Sequence, residues 1–371
     1  MSEWSAGTVR KARGKWQGVL SRGDGKKREQ RTKLFDIASE PGTNKGLPAA
    51  LKALAEWRAE LVAEESAPTL PKASTQTVGE YCNSYVSDLK ARGVIEASTV
   101  RDYLHMVKYL TRGEHPIAAI RMADLKPSHI ERWETSLLAG EGLSAATVKK
   151  AHRVLRQCMR HAVEVEDLVR DPTASVKAPK AAAKQPNALD AAGRARLVKA
   201  LEAMAPTPLR TGAALALYTG MREGEVCGLR WKNVDLKGGT LWVRESIGCG
   251  AGGTYVKEPK TGGSRRDIPL PAPLASMLAE RRAAMINECL DAGVPFTGEL
   301  FVLGRIDGAY QDPTALGKQW QSMAASYGFV GVTGRRVTFH DLRHTFATAA
   351  IANGVDVKTV SSILGHANAA M

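Results

Sequence analysis

The sequence predicts a multidomain protein: a small three-stranded β-sheet plus a helix, then an all-α helical bundle, then a mainly α domain with a small antiparallel β-sheet. Three observations carry this. The 371 residues exceed the roughly 100–200 of a usual domain. Turn residues cut the first 35 positions into short runs. Apolar spacing is helical from Thr75 to about Val169, and glycine-bounded β stretches return after residue 188. With 44% hydrophobic and 24% charged residues the chain reads as ordinary globular protein, which excludes wholesale disorder. A net charge of +14 favours a polyanionic partner, nucleic acid first and an anionic membrane surface second.

Taken in order, residues 1–35 hold ten Lys or Arg against three acidic residues, net +7. Three runs, Gly7 to Ala12, Lys15 to Ser21 and Arg28 to Phe35, are separated by Arg13-Gly14 and by Gly23-Asp24-Gly25, which read as turns. A helix from Ala49 to Ala63 carries Leu51, Leu54, Trp57, Leu61 and Val62 at a spacing that can pack on this sheet. The basic residues Arg10, Lys11, Arg13, Lys15, Lys26, Lys27 and Arg28, with Trp16 among them, suit DNA contact, although such a run also fits a merely solvated face.

After a Pro/Ser/Ala connector, a four- or five-helix bundle follows, with Ser98 and Ser144 placed as N-caps. Its long closing helix, Val148 to Val165, bears Lys149, Lys150, Arg153, Arg156 and Arg160, candidates for phosphate contact. Asp171 to Asn187 has prolines, lysines and no apolar period, and is expected to be a flexible basic linker. Beyond it, Thr240 to Val243, Thr254 to Val256 and Arg266 to Leu270 are expected strands. Five scattered cysteines with no CxxC pair are expected to be reduced, and no stretch reaches ~18 apolar residues or forms a signal-peptide core, so a cytoplasmic protein without a membrane partner is expected.

The chemistry concentrates late in the chain. Thr219-Gly-Met-Arg-Glu-Gly-Glu225 joins two helices and puts Arg222 at the start of the second, where a cation is poorly placed unless an anion lies beside it. By itself Arg222 equally admits a salt bridge to Glu225. His340-Asp-Leu-Arg343 sets a histidine and an arginine one turn apart on one helix face. Two guanidinium forks and a histidine suit the non-bridging oxygens of a phosphodiester. Leu364-Gly-His366 adds a histidine, and Lys260, ahead of Arg265-Arg-Asp-Ile-Pro-Leu270, is expected in a hairpin turn.

In order and spacing, TGMREGEVCGLRW, the turn lysine before RRDIPL, HDLRH and LGH resemble the tyrosine recombinases, specifically phage-type integrases, over essentially the whole chain. The resemblance implies an arm-type DNA-binding domain (residues 1–65), a core-binding helical bundle (74–170), the basic linker (171–187) and a mainly α catalytic domain (188–371) that lacks its C-terminal end. It implies that Arg222 and Arg343 clamp the scissile phosphate, that Lys260 protonates the leaving 5′ oxygen, that His340 and His366 assist, and that Glu225 supports the arginines. No metal or other cofactor is implied. The partners are double-stranded DNA at core and arm-type sites, as a tetramer on DNA, with room for a DNA-bending accessory protein, in the nucleoid of a bacterial host.

In the family a nucleophilic tyrosine follows the LGH histidine, but the last tyrosine here is Tyr327 and the sequence ends at Met371. The expectation is a phage or prophage integrase, acting through a 3′-phosphotyrosyl intermediate, whose last helices lie outside this sequence. The alternative is a catalytically inactive DNA-binding regulator derived from an integrase. A zinc helix, with His340 and His344 copying HExxH and His366 as third ligand, is disfavoured because Asp341 is shorter than the required glutamate and Arg343 would sit beside the metal.

Overall fold

The computed structural model describes residues 4–23, 29–66, 75–183, 185–250, 252–258 and 265–365. They form two compact units: residues 1–74 with 163–170, and residues 75–162 with 171–371.

In the first unit, β1 (Thr8–Ala12), β2 (Lys15–Arg22) and β3 (Glu29–Ala38) form an antiparallel sheet in that order. The β1–β2 turn is the expected Arg13-Gly14, with φ of 52° and 74°. Two successive positive φ values are what a two-residue hairpin needs to match strand twist. Helix α1 (Leu47–Ser66) covers one face, and Trp4, Leu20, Phe35, Leu54, Trp57 and Leu61 make the core. Of the expected stripe, Leu51 and Val62 are exposed. The buried positions on this helix are 50, 54, 57 and 61, and residues 51 and 62 lie about 100° around the helix from that line.

Trp16 does not stand among DNA-facing charges. It is buried, and its Nε1 donates to the Lys45 carbonyl at 3.1 Å. On β2, Trp16, Gly18 and Leu20 alternate inward, so the strand's period of two puts Trp16 on the core side.

The second unit begins with α2 (Val78–Ala91), α3 (Ala97–Val107), α4 (Pro127–Thr135) and α5 (Ala145–Glu164). Thr77 and Glu80 form a reciprocal cap on α2. Ser144 caps α5, accepting from the Thr147 amide at 3.2 Å. Ser98, expected to cap α3, lies inside its first turn, because the helix begins earlier, after Glu96. Along α5, Val148, Ala151, Leu155, Cys158, Met159 and Ala162 face inward. The described residues of the segment expected to be a flexible linker form neither helix nor strand, yet Thr173, Val176 and Asn187 are buried. The Asn187 side-chain amide donates to the carbonyls of Arg335 and Arg336, so burial and side-chain-to-backbone hydrogen bonds hold the end of this segment down.

The remainder is helical around small sheets: α6 (Ala191–Ala203), α7 (Pro208–Thr219), α8 (Glu223–Cys227), β4 (Val234–Asp235), β5 (Thr240–Val243), β6 (Ser246–Gly250), β7 (Gly253–Lys257), β8 (Arg266–Pro269), α9 (Ala272–Asp291), α10 (Pro313–Ser326), α11 (Phe339–Ala352) and α12 (Val357–Leu364). Strands β4, β5 and β8 form one sheet and β6–β7 a separate hairpin. The stretch between β7 and β8 therefore joins two sheets rather than turning a hairpin, as β8 pairs with β5 and β7 with β6. All five cysteines are free. No helix among the described residues is long and apolar enough to cross a membrane.

Candidate active site

Helix α7 is buried along nearly its whole length and ends at Gly220, whose φ of 65° is left-handed. A Cβ there would stand 2.5 Å from Leu364 and 2.6 Å from Phe346. Glycine thus serves both the turn and the close approach of α11 and α12. The turn delivers Arg222 to the residue preceding α8. Its side chain is 41% exposed; Nη1 donates to Glu225 Oε1 at 2.9 Å and Nη2 to the Gly365 carbonyl at 3.3 Å. The salt bridge that the sequence admits is therefore present, on a side chain still partly open to solvent.

Arg343, on α11, is buried. Nη1 donates to the Gly220 carbonyl at 2.6 Å and Nη2 to the Leu364 carbonyl at 2.9 Å. Burial, followed by the like charge of Arg222, presses its pKa down to about 10, which leaves it cationic at neutrality.

Arg266, at the start of β8, completes the cluster and is absent from the expected site. Its Nη2 donates to Glu225 Oε2 at 2.7 Å, Nη1 to Oε1 at 3.2 Å and Nε to the Ile363 carbonyl at 2.5 Å. The sequence contains a signal for it, the pair Arg265-Arg266. Strand alternation turns only the second inward, and Arg265 instead pairs with Glu258 at the surface. Burial alone would raise the pKa of Glu225, but its hydrogen bond and charge pairing with Arg266, then with Arg222, outweigh it and hold the carboxyl below the ordinary range. Two guanidiniums thus share one carboxylate, and Arg343 lies within reach of its charge. Such an excess of fixed cations with oriented N–H donors suits a bound oxyanion.

His340 lies one turn before Arg343 on α11 and keeps much of its surface exposed. The protein packed around its ring, then His344 and Arg343, still push its pKa below the usual histidine value, favouring the neutral imidazole. His340 and His344 stack edge-on at 4.9 Å. No group of three metal-ligating side chains occurs among the described residues. Lys260 and His366 lie outside the described residues, as do Lys26, Lys27 and Arg28.

Glu223 turns the other way. Its Oε1 is buried with no hydrogen-bond partner, and Gly317 on α10 makes the room, since a Cβ there would stand 2.8 Å from that oxygen. Burial, then Asp312, raises this carboxyl to about 7.

Among the other cations, Lys149, Lys150, Arg153 and Arg156 are exposed on α5, with 149, 153 and 156 along one stripe. In the first unit Arg10 and Arg13 are exposed, and Arg10 Nε donates to Gln17. Lys15 pairs with Asp36 at 2.6 Å, and Lys11 donates to the carbonyls of Glu40 and Thr43. Lys15 is thus tied within the sheet, and Lys11 to the segment that follows β3.

Residues 188–371 match the phage integrase family. A tyrosine recombinase XerC-like protein of Caldanaerobacter subterraneus subsp. tengcongensis is 27% identical over 312 residues, 79% of this chain and 76% of its own. Among solved structures, the Tn1549 transposon integrase (amino acids 82–397), in complex with a circular intermediate DNA, superposes with a TM-score of 0.66 at 20% identity, over 79% of this chain and 92% of its own. A lambda integrase tetramer bound to a Holliday junction gives 0.60 at 19% identity, over 96% of this chain and 91% of its own. At these identities the structural likeness is one of fold.

Proposed function

We propose that this chain, whose residues 188–371 belong to the phage integrase family of tyrosine recombinases, is a site-specific recombinase that seats a scissile phosphodiester of duplex DNA in the forks of Arg222 and Arg343. The observation that carries the reading is the cluster of Arg222, Arg266 and Arg343, in which Glu225 pairs with the first two and acts on the third by charge. Attack on a phosphodiester builds negative charge on oxygens held in line, and fixed guanidiniums stabilise that charge as it develops. Neutral His340 is suited to exchange a proton beside the phosphate. Lys260 is assigned to the leaving 5′ oxygen and His366 to assistance, both on the strength of motif. A covalent 3′-phosphotyrosyl intermediate would conserve the energy of the cut bond, so that rejoining needs no nucleotide.

The finer reading is a phage or prophage integrase. The basic three-stranded sheet supports it, with residues 1–65 on arm-type DNA, 74–170 on core DNA, 171–187 between domains and 188–371 at the phosphate. The likeness to lambda integrase also runs over 96% of this chain, against 79% for the Tn1549 fragment that begins at its own residue 82. Assembly as a tetramer on DNA follows the same neighbour. The second reading is a regulator that binds DNA without cutting it.

The test uses a core duplex selected from a random library and nicked to trap covalent product. The 371-residue chain should bind it without forming an adduct. A chain extended at its C-terminus by a segment bearing a tyrosine should form one, and Arg343→Lys in that chain, which keeps the charge and loses the fork, should cut at least ~100-fold more slowly. An extended chain that binds but stays inert would favour the regulator. Normal cleavage by the Arg343→Lys variant would remove Arg343 from the clamp.

A further inference from the structure

Three consecutive carbonyls at the C-terminal end of α12 are taken by three different guanidiniums: Ile363 by Arg266 at 2.5 Å, Leu364 by Arg343 at 2.9 Å and Gly365 by Arg222 at 3.3 Å. The last carbonyls of a helix lack intrahelical partners and carry its negative dipole end, so they act on the cluster as a weak anion. Arg222 and Arg343 are the groups assigned above to the phosphate. Arg266 is different. Its fork is closed on both oxygens of Glu225, whereas Arg343 donates to two backbone carbonyls and Arg222 is half-exposed.

We propose that Arg266 is a positioning residue for the phosphate clamp, holding Glu225 and the end of α12 so that neither takes more than the one donor of Arg222 and of Arg343 that it already accepts. The proposal rests on the clamp reading given above. Glu225 Oε1 accepts from both Arg266 and Arg222, and Oε2 accepts from Arg266 and from the Arg222 backbone N–H at 2.9 Å. A carboxylate shared in this way cannot turn wholly onto Arg222. Without the Arg266 fork it would be drawn towards Arg222 and Arg343, whose charges already act on it and on each other, and the clamp would be quenched from within. Ile363, released, would also loosen the register that sets Leu364 and Gly365 against the other two arginines. Lysine cannot replace Arg266, because one ammonium cannot bridge both carboxylate oxygens and the Ile363 carbonyl in the fork's plane.

The experiment uses the 371-residue chain, where strand cleavage plays no part in the readout. Ethylation interference on the selected core duplex first locates the phosphate whose signal disappears in Arg222→Ala. The ratio of Kd for a duplex with a neutral methylphosphonate at that position to Kd for the unmodified duplex then reports the clamp. The parent chain should give a ratio of at least ~10, the scale of one charge-assisted hydrogen bond. Arg266→Lys, which keeps the charge and should fold, and Arg266→Gln should both bring the ratio close to one, while interference at phosphates bound by α5 stays as in the parent. An undiminished ratio in Arg266→Lys overturns the proposal. So does a uniform weakening at every phosphate, which would mean that Arg266 only stabilises the fold. If no phosphate in the parent chain depends on Arg222, the clamp reading itself fails and takes this inference with it.

Discussion

Replacing Glu225 by glutamine tests the electrostatic centre of the site most directly. The side chain is 7% exposed and lies between Arg266, equally buried, and Arg222. Its two oxygens accept from Arg266 at 3.2 and 2.7 Å and from the side chain and backbone of Arg222 at 2.9 Å each. Glutamine keeps the shape and one acceptor oxygen, but it removes the charge and turns the other acceptor into a donor facing guanidiniums. Removing one partner of a buried ion pair costs about 3–5 kcal/mol, and the retained acceptor argues for the lower end, about 3. In a unit of this size each kcal/mol moves Tm by roughly 2–4 °C, so a fall of about 6 °C or more is expected at pH 7.

Calorimetry across pH gives a second handle. The folded pKa of Glu225 lies below the unfolded value of 4.5. Its stabilisation is therefore complete above about 4.5 and is lost as the pH falls through the folded value. The Tm gap between parent and variant should narrow over that acid window. A variant that melts within 1–2 °C of the parent at pH 7, or a gap that stays constant into acid, would refute the account of Glu225 as a buried counter-charge.

Glu223 predicts the opposite sign. Its folded pKa, about 7, lies above 4.5, so it costs nothing in acid, begins to destabilise as the unfolded chain ionises above about 4.5, and costs most above 7. Glu223→Gln should raise Tm more at pH 8 than at pH 5, by less than the roughly 3 kcal/mol of a full shift because the group is partly solvated; an equal gain at both pH values would contradict the burial argument. Deleting residues 1–65 should abolish arm-type binding and spare core binding, with the slope of log K against log salt for total binding shallower by about 0.9 for each phosphate that the sheet no longer neutralises. Arm-type binding that survived the deletion would rule out the assignment of this sheet.

Much of this protein is determined by local sequence. Arg13-Gly14 supplies two residues tolerant of positive φ, which sets the first hairpin whatever surrounds it. Thr77 with Glu80, and Ser144 with the amide of Thr147, cap helices through pairings three residues apart, and Gly220 ends α7 where an αL turn is required. Arg222, Glu225, His340 and Arg343 are legible for the same reason, because each pair occupies one turn of one helix.

The tertiary structure decided the rest, where the outcome depends on partners distant in the chain or on which face of an element is covered. Trp16 on β2 and Arg10 on β1 belong to one basic sheet, and only the folded unit, with Lys45 and Gly46 against the indole, buries one and leaves the other on the surface. Arg265 and Arg266 are neighbours of the same type, yet pairing of β8 with β5 sends the second inward to Glu225, 41 residues away. Glu223 and Glu225 are likewise two steps apart on one short helix. One faces Asp312 and the space left by Gly317 and is pushed towards neutrality; the other faces two guanidiniums and stays charged. The carbonyls of Ile363, Leu364 and Gly365 meet arginines 97, 21 and 143 residues away. A sequence pattern records which groups are available, whereas the charge state and direction of a buried group follow from the field of everything folded around it.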